Sequence, residues 1–344
     1  MSGLVRHTGT SETDKPKEAG MKTLFLGSYG FGNLGDELCL IDAIRAFPSD
    51  DIWAFSVDAS FTGHCVPANI KFMRRRAEID AIKPERIVLG GGGVGFMPSI
   101  RDMLHWMSSA KRLGAECHIY NIGMALLDDF SWFGASEVGE VLDGLASFSV
   151  RDDASWFCTR VWPRAVNPTI SYYPERLLTP DLCLVSHLPK RRKLLGISIT
   201  GQNIMRNALS RNSRKVISAL APYRGYTIVP IISTVSLTDP EEDDVAGFQF
   251  FRSLFLDGFD IACEEFLDKD WWRQNMTPLK LKGLIGELDT IFTQRKHNLI
   301  HAIGTQTRAV GIYPSIDDSI ARIFFSLRDE IPADSIQLSL TVTA

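Results

Sequence analysis

No apolar run in this 344-residue sequence reaches the roughly 18 residues that a membrane-crossing helix needs. Residues 1–20 lack the hydrophobic core of a secretion signal. They are polar, carry Lys15, Pro16 and Lys17, and read as a disordered arm. Both absences lead to the expectation of a cytoplasmic protein. The run Lys190-Arg191-Arg192-Lys193 allows at most a peripheral contact with the inner face of the membrane. Positive charge is not in excess either. Thirty-seven Lys and Arg against 41 Asp and Glu leave a net charge of −4, which argues against a nucleic-acid partner. The run Arg74-Arg75-Arg76 is short and borders an apolar stretch, so it reads as solvated loop charge.

Several chemistries are missing as well. The six cysteines, at 39, 65, 117, 158, 183 and 263, show no metal-ligand spacing, so buried reduced thiols and no metal are expected. There is no G-x-S-x-G elbow and no G-x-x-x-x-G-K-[ST] loop. His297 and His301 stand four apart, but Asn298 rather than glutamate follows the first, so the zincin motif is absent. His301 is expected to pack or to face solvent. The acidic run from Asp239 to Asp244 reads as a solvated helix start.

What is present is an alternation of strand-like and helix-like segments. Lys22–Gly27, Asp51–Val57, Arg86–Leu89, Glu116–Ile122 and Ala146–Val150 are apolar runs of strand length. Helical patterns separate them, at about 35–46, 99–113 and 136–145. In the second of these Ile100, Met103, Leu104, Met107 and Leu113 share a face. A second series begins at Leu194 and includes strands at 226–232, 288–292 and 309–312. Between the two lies a proline-rich stretch, 161–193, read as a linker or hinge. The predicted architecture is α/β, with two Rossmann-like lobes carrying parallel sheets, at 21–160 and 194–344.

Four segments fall at predicted carboxyl ends of strands, where open α/β sheets bind ligands. Gly30, Gly32 and Gly35 match G-x-G-x-x-G, with Asp58 23 residues after Gly35. Asp36 and Glu37, however, occupy the helix end that a pyrophosphate would need, and suit a cap or bonds to the hydroxyls of a neutral substrate. Gly90-Gly91-Gly92-Gly93 reads as a loop whose N–H groups either nest an anion or simply turn. Arg151 follows the strand ending at Val150, and its alternative role is a surface ion pair. Arg295 and His297 follow the strand 288–292. There a guanidinium grips carboxylate or phosphate, and an imidazole moves protons.

Together Gly30-Phe31-Gly32-Asn33-Leu34-Gly35-Asp36-Glu37, Leu89-Gly90-Gly91-Gly92-Gly93, Ser149-Val150-Arg151-Asp152 and Arg295-Lys296-His297-Asn298-Leu299-Ile300-His301-Ala302 resemble the polysaccharide pyruvyl transferase family, in order and over most of the chain. Lys296 stands where the family usually has an apolar residue. The resemblance implies a two-lobed fold similar to the B-type glycosyltransferases. It implies transfer of the carboxyethylidene unit of phosphoenolpyruvate onto a sugar or lipid-linked oligosaccharide acceptor, giving a pyruvate ketal, without cofactor or metal. Carried onto this sequence, His297 and Asp36 become the catalytic pair, with His297 as general acid or phosphate ligand. Arg151, Arg295, Gly91 and Gly92 become donor-binding, and Asn33 and Glu37 acceptor-binding. Two other readings stay open: a glycosyltransferase using a nucleotide sugar, and a non-catalytic sugar-binding relative.

Overall fold

A computed structural model describes residues 21–95, 99–124, 136–160, 166–236, 239–315 and 318–340. The expected arm at 1–20 lies outside the described residues. Seven strands form the first sheet: β1 (Lys22–Leu26), β2 (Asp51–Phe55), β3 (Ile70–Met73), β4 (Arg86–Gly95), β5 (Glu116–Met124), β6 (Ser147–Val150) and β7 (Thr169–Ile170). Their order is β3-β2-β1-β4-β5-β6-β7, and every pairing is parallel. The second sheet holds β8 (Leu194–Ser198), β9 (Thr227–Pro230), β10 (Asp260–Ile261), β11 (Thr290–Thr293), β12 (Arg308–Tyr313) and β13 (Ile336–Ser339). Its order is β10-β9-β8-β11-β12-β13, again all parallel.

In each sheet the strand order reverses once, between β1 and β4 and between β8 and β11. Such switch points open a crevice beyond the strands' carboxyl ends. The two crevices face each other here. The turn after β1 pairs directly with the segment after β9: Asn33 and Thr234 form an antiparallel bridge, Leu34 N donates to Ser233 O at 2.9 Å, and Val235 N donates to Gly32 O at 2.9 Å. The helix Leu34–Ala46 is buried at Leu34, Gly35 and every position from Glu37 to Ala43. An ordinary surface helix hides only one stripe; this one is wedged between lobes. Leu34 and Leu38 share one apolar core with Trp272, Leu281 and Leu299 of the second lobe. The lobes are therefore joined by a common core rather than merely facing across a cleft.

Three sequence expectations need correction. The glycine run is not a loop. It continues β4 alongside β5, with a register shift between Gly92 and Gly95. Gly91 and Gly92 have φ of +75° and +79°, and a methyl on Gly91 would meet Cys39 Cβ at 2.2 Å. Glycine is required because the wedged helix lies directly on this strand. Second, the expected hinge begins inside the first sheet, since β7 pairs with β6. Third, Leu113 is exposed, because its helix ends at Arg112 and the residue leaves the buried face. The short edge strands β3, β7 and β13 were not legible from periodicity. Among the described residues no helix is long and apolar enough to cross a membrane.

Candidate functional site

The chain leaves the fully buried strand β11 at Thr293, and Gln294 N still pairs with Ser198 O of β8 at 3.0 Å. Arg295 then starts the helix Lys296–Gly304 without capping it by a side chain. Its guanidinium is already engaged. Nε and Nη2 lie 2.7 Å from Asp244 Oδ1, and Nη1 donates to Glu242 Oε2 at 2.6 Å. Asp244 is wholly buried, and its Oδ2 accepts from Ser233 N at 3.0 Å, Ser233 Oγ at 2.9 Å and Thr234 N at 3.1 Å. The acidic run is thus no solvated helix start: its last members neutralise Arg295. Burial works against ionisation of Glu242, yet Arg295 outweighs it and holds that carboxyl below its usual range. Asp244 lies deeper; burial wins over Arg295 there, and its carboxyl moves up. A guanidinium so engaged is not presented as a free donor clamp.

The next two residues line the cavity wall, and the third anchors the helix behind it. Burial, with Lys296 and Arg151 adding to it, pushes the His297 imidazole well below its ordinary value, so the ring is neutral at physiological pH. Its Nε2 lies 3.5 Å from Cys39 Sγ, and its Nδ1 edge rests on Gly35. Burial and Arg151 bring the Lys296 ammonium down to about 8, against the pull of Asp36, Cys39 and Glu175. Asn298 Nδ2 donates to Ser198 Oγ at 2.7 Å and Ser233 Oγ at 3.2 Å, tying the helix to both neighbouring strand ends. His301 is buried, with Lys282 beside it, and its ring is pushed down to about 3, so it is a neutral core residue.

From the other lobe, Asn33 rather than Asp36 caps the helix Leu34–Ala46. Its side chain accepts from Gly35 N at 2.9 Å, and its Nδ2 donates to Asp36 Oδ2 at 2.9 Å. Asp36 is left facing Gly92 and the second lobe, and burial raises its carboxyl to about 6 although Lys296 and Arg151 oppose the shift. Glu37 points back into its own lobe. Its Oε1 accepts from Gly30 N at 2.6 Å and Thr62 Oγ1 at 3.2 Å, and burial raises it to about 8. It props the glycine turn and does not line the cavity.

Arg151 is not a surface residue: it is 3% exposed. Its Nε lies 3.3 Å from Asp152 Oδ2, and its guanidinium lies 5.8 Å from the Tyr173 ring. Asp152 also accepts from Ser155 N and from the Tyr173 hydroxyl, both at 2.6 Å. Glu175, hidden in the proline-rich segment where no sequence signal marked it, is buried and accepts from Asn121 Nδ2 at 2.8 Å. Cys39 and Lys296 were also missed as site residues. The first reads as one more apolar helix position, the second only as a departure from the family's usual apolar residue.

Between the lobes, at the two switch points, lies a cavity of about 270 Å³, lined from the first lobe by Asn33 and from the second by residues that include Ser233, Gln294 and Ser319. Its wall carries Asn33, Arg295 and Asp318, each the residue that starts a helix, together with Lys296 and His297. Helix starts present unpaired N–H groups and positive potential. Larger hollows lie around Arg76 and Arg112, around Phe157 and Phe325, and around Asp257, but none of them is lined by the residues that follow β1 and β11 at the two switch points. The packing is close enough for one strong expectation. A methyl at Gly35 would sit 1.8 Å from His297 Nδ1. Gly35→Ala should therefore destabilise by about 1–3 kcal/mol, as overpacking does, read as a lower urea midpoint. An unchanged midpoint would show that the imidazole is free to turn away.

No protein-family model matches the chain, and no curated protein matches it in sequence. Solved structures do match in shape. The UDP-GlcNAc 2-epimerase from Methanocaldococcus jannaschii superposes with a TM-score of 0.50 at 11% identity, over 93% of this chain and 89% of that one. The E. coli ADP-heptose lps heptosyltransferase II gives 0.45 at 13%, over 92% and 90%. Anabaena HepE in complex with UDP-glucose gives 0.47 at 14%, over 85% and 80%. The fold is that of the B-type glycosyltransferases. At this level of identity the likeness is one of architecture.

Proposed function

We propose that this chain is a sugar-modifying transferase whose donor places a phosphate on the amino end of the helix Lys296–Gly304, with phosphoenolpyruvate as the donor of first choice. One observation carries this reading. A small inter-lobe cavity joins uncapped helix N–H groups and the Lys296 ammonium on one side to Asn33 on the other, and Asn33 Nδ2 donates to the Asp36 carboxylate behind it at 2.9 Å. Helix starts and a lysine attract a phosphate dianion. A volume of about 270 Å³ lies at the small end of the roughly 300–1,000 Å³ typical of ligand sites and accommodates a compact donor without movement of the lobes.

In the ketal reaction C3 of phosphoenolpyruvate takes a proton, one sugar hydroxyl adds at C2, phosphate leaves, and a second hydroxyl completes the ketal. Of the two hydroxyl protons, one balances C3 and the other leaves with phosphate. His297 is neutral, with Nε2 facing Cys39 and Nδ1 packed on Gly35, so its role here is to shape the wall rather than to act as an imidazolium acid. Asp36, behind Asn33 of the opposite wall, receives the acceptor's hydroxyl proton. Arg151 acts through its charge from beneath the site, while Arg295 orders the wall through Asp244 and Glu242.

The fold shared with a UDP-GlcNAc 2-epimerase favours a second reading, in which a nucleotide sugar is the donor. Its phosphates would use the same helix start, and the lobes would have to part to admit it. Thermal unfolding with phosphoenolpyruvate, inorganic phosphate and a panel of UDP-, GDP- and ADP-sugars separates the two. A donor at ~100 times its dissociation constant adds about 2.7 kcal/mol. A shift with phosphoenolpyruvate, followed by phosphate release in the presence of an acceptor sugar, is the expected result. A shift with nucleotide sugars alone transfers the assignment to the second reading. Stabilisation by sugars without turnover points to a binding protein.

A further inference from the structure

Beneath the cavity three side chains far apart in sequence meet: Cys39 from the wedged helix, Glu175 from the crossover between the lobes, and His297 from the first turn after β11. All three are buried, and one donor atom of each lies within 4.8 Å of the others. Cys39 Sγ and His297 Nε2 are 3.5 Å apart. With zinc–sulfur and zinc–nitrogen bonds of about 2.3 Å and 2.0–2.1 Å, a tetrahedral angle gives an S···N edge of about 3.5 Å. The separation suits two ligands on one ion as well as a thiol–imidazole hydrogen bond, so the choice between them rests on the third group.

A thiol–imidazole–carboxylate relay would explain the same residues, but its geometry differs. Such a relay puts the carboxylate on the imidazole nitrogen remote from the thiol. That nitrogen, Nδ1, is packed on Gly35, where even a methyl would come within 1.8 Å. The three groups converge on a point instead of forming a line. We propose that Cys39, Glu175 and His297 bind one borderline-soft divalent cation, zinc fitting best. Thiolate and imidazole disfavour magnesium or calcium. The carboxylate is held from outside: Asn121 Nδ2 donates to Glu175 Oε2 at 2.8 Å, and Ser171 Oγ donates to Asn121 Oδ1 at 2.7 Å. Partners of this kind orient ligands in metal sites. Lys296 and Arg151 carry positive charge close to Cys39 and Glu175, which weakens the ion's hold.

The test uses the full chain with the exposed Cys183 replaced by serine, stripped with a chelator and titrated with cobalt(II). The expected result is a near-ultraviolet thiolate-to-cobalt band with the visible bands of a four-coordinate ion, both displaced by zinc. Cys39→Ala should abolish the thiolate band. His297→Gln, should the first variant fail to fold, should weaken binding by more than the roughly 10–100-fold typical of an outer partner. Lys296→Met should bind cobalt more tightly, a change that a merely structural cysteine cluster would not produce. Absence of any band from folded protein overturns the proposal, and so does a band that survives Cys39→Ala.

Discussion

Arg295→Met is expected to cost about 3–5 kcal/mol of folding stability, the usual consequence of removing one partner from a buried ion pair. The reason is Asp244. It is wholly buried and bonded to Ser233 and Thr234, so it cannot turn to water once its cation is gone. Glu242 is about one-third exposed, and solvent screens its share. The sign of the pH dependence follows from Glu242. Its folded-state carboxyl lies below its usual value because of Arg295, so its contribution is present above the ordinary glutamate range and is lost as pH falls through the folded value. In the variant Asp244, already raised by burial, rises further and takes up a proton more readily. Urea unfolding at pH 7 and near pH 4 should therefore show a large gap between wild type and variant that narrows in acid. Arg295→Lys should fall between, since a point charge cannot replace a fork that spans two carboxylates. Unchanged stability together with weaker donor binding would restore the donor-clamp role that the family resemblance implies for Arg295.

Asp36→Asn should lower turnover by roughly 10²–10⁴-fold, the range for loss of a general base. Wild-type activity should fall as pH drops through about 6, where the Asp36 carboxyl takes a proton, and the variant's residual activity should lack that limb. Stability should hold or rise, because a neutral amide escapes the burial that raises the carboxylate, while Asn33 keeps the helix cap. Phosphate release measured from pH 5 to 8, with unfolding midpoints alongside, checks both halves. A variant that keeps the acid limb would move the base elsewhere. A variant that loses stability would make Asp36 a structural partner of Asn33.

The alternating β/α plan, the division into two lobes, and the siting of Asp36, Arg151, Arg295 and His297 beyond strand ends were all legible in the sequence. Those features are written locally: a strand or helix declares itself within a dozen residues by which positions are apolar, and a turn by its glycines. What those residues face was not legible. Parallel sheets bring residues together across long separations, so the neutralisation of Arg295 by Asp244 and Glu242 left no local trace, and neither did the meeting of Cys39, Glu175 and His297. The glycine run continues β4 because it pairs with β5, and it is glycine because a helix from another part of the chain lies on it. Charge states were decided the same way. A histidine after a strand reads as a proton carrier, but only the packed interior, with Lys296 and Arg151 close by, makes His297 neutral and lifts Asp36 to about 6. Sequence order set the elements and their chemistry; burial and the sheet order, which no local pattern encodes, set which groups meet and in what charge state.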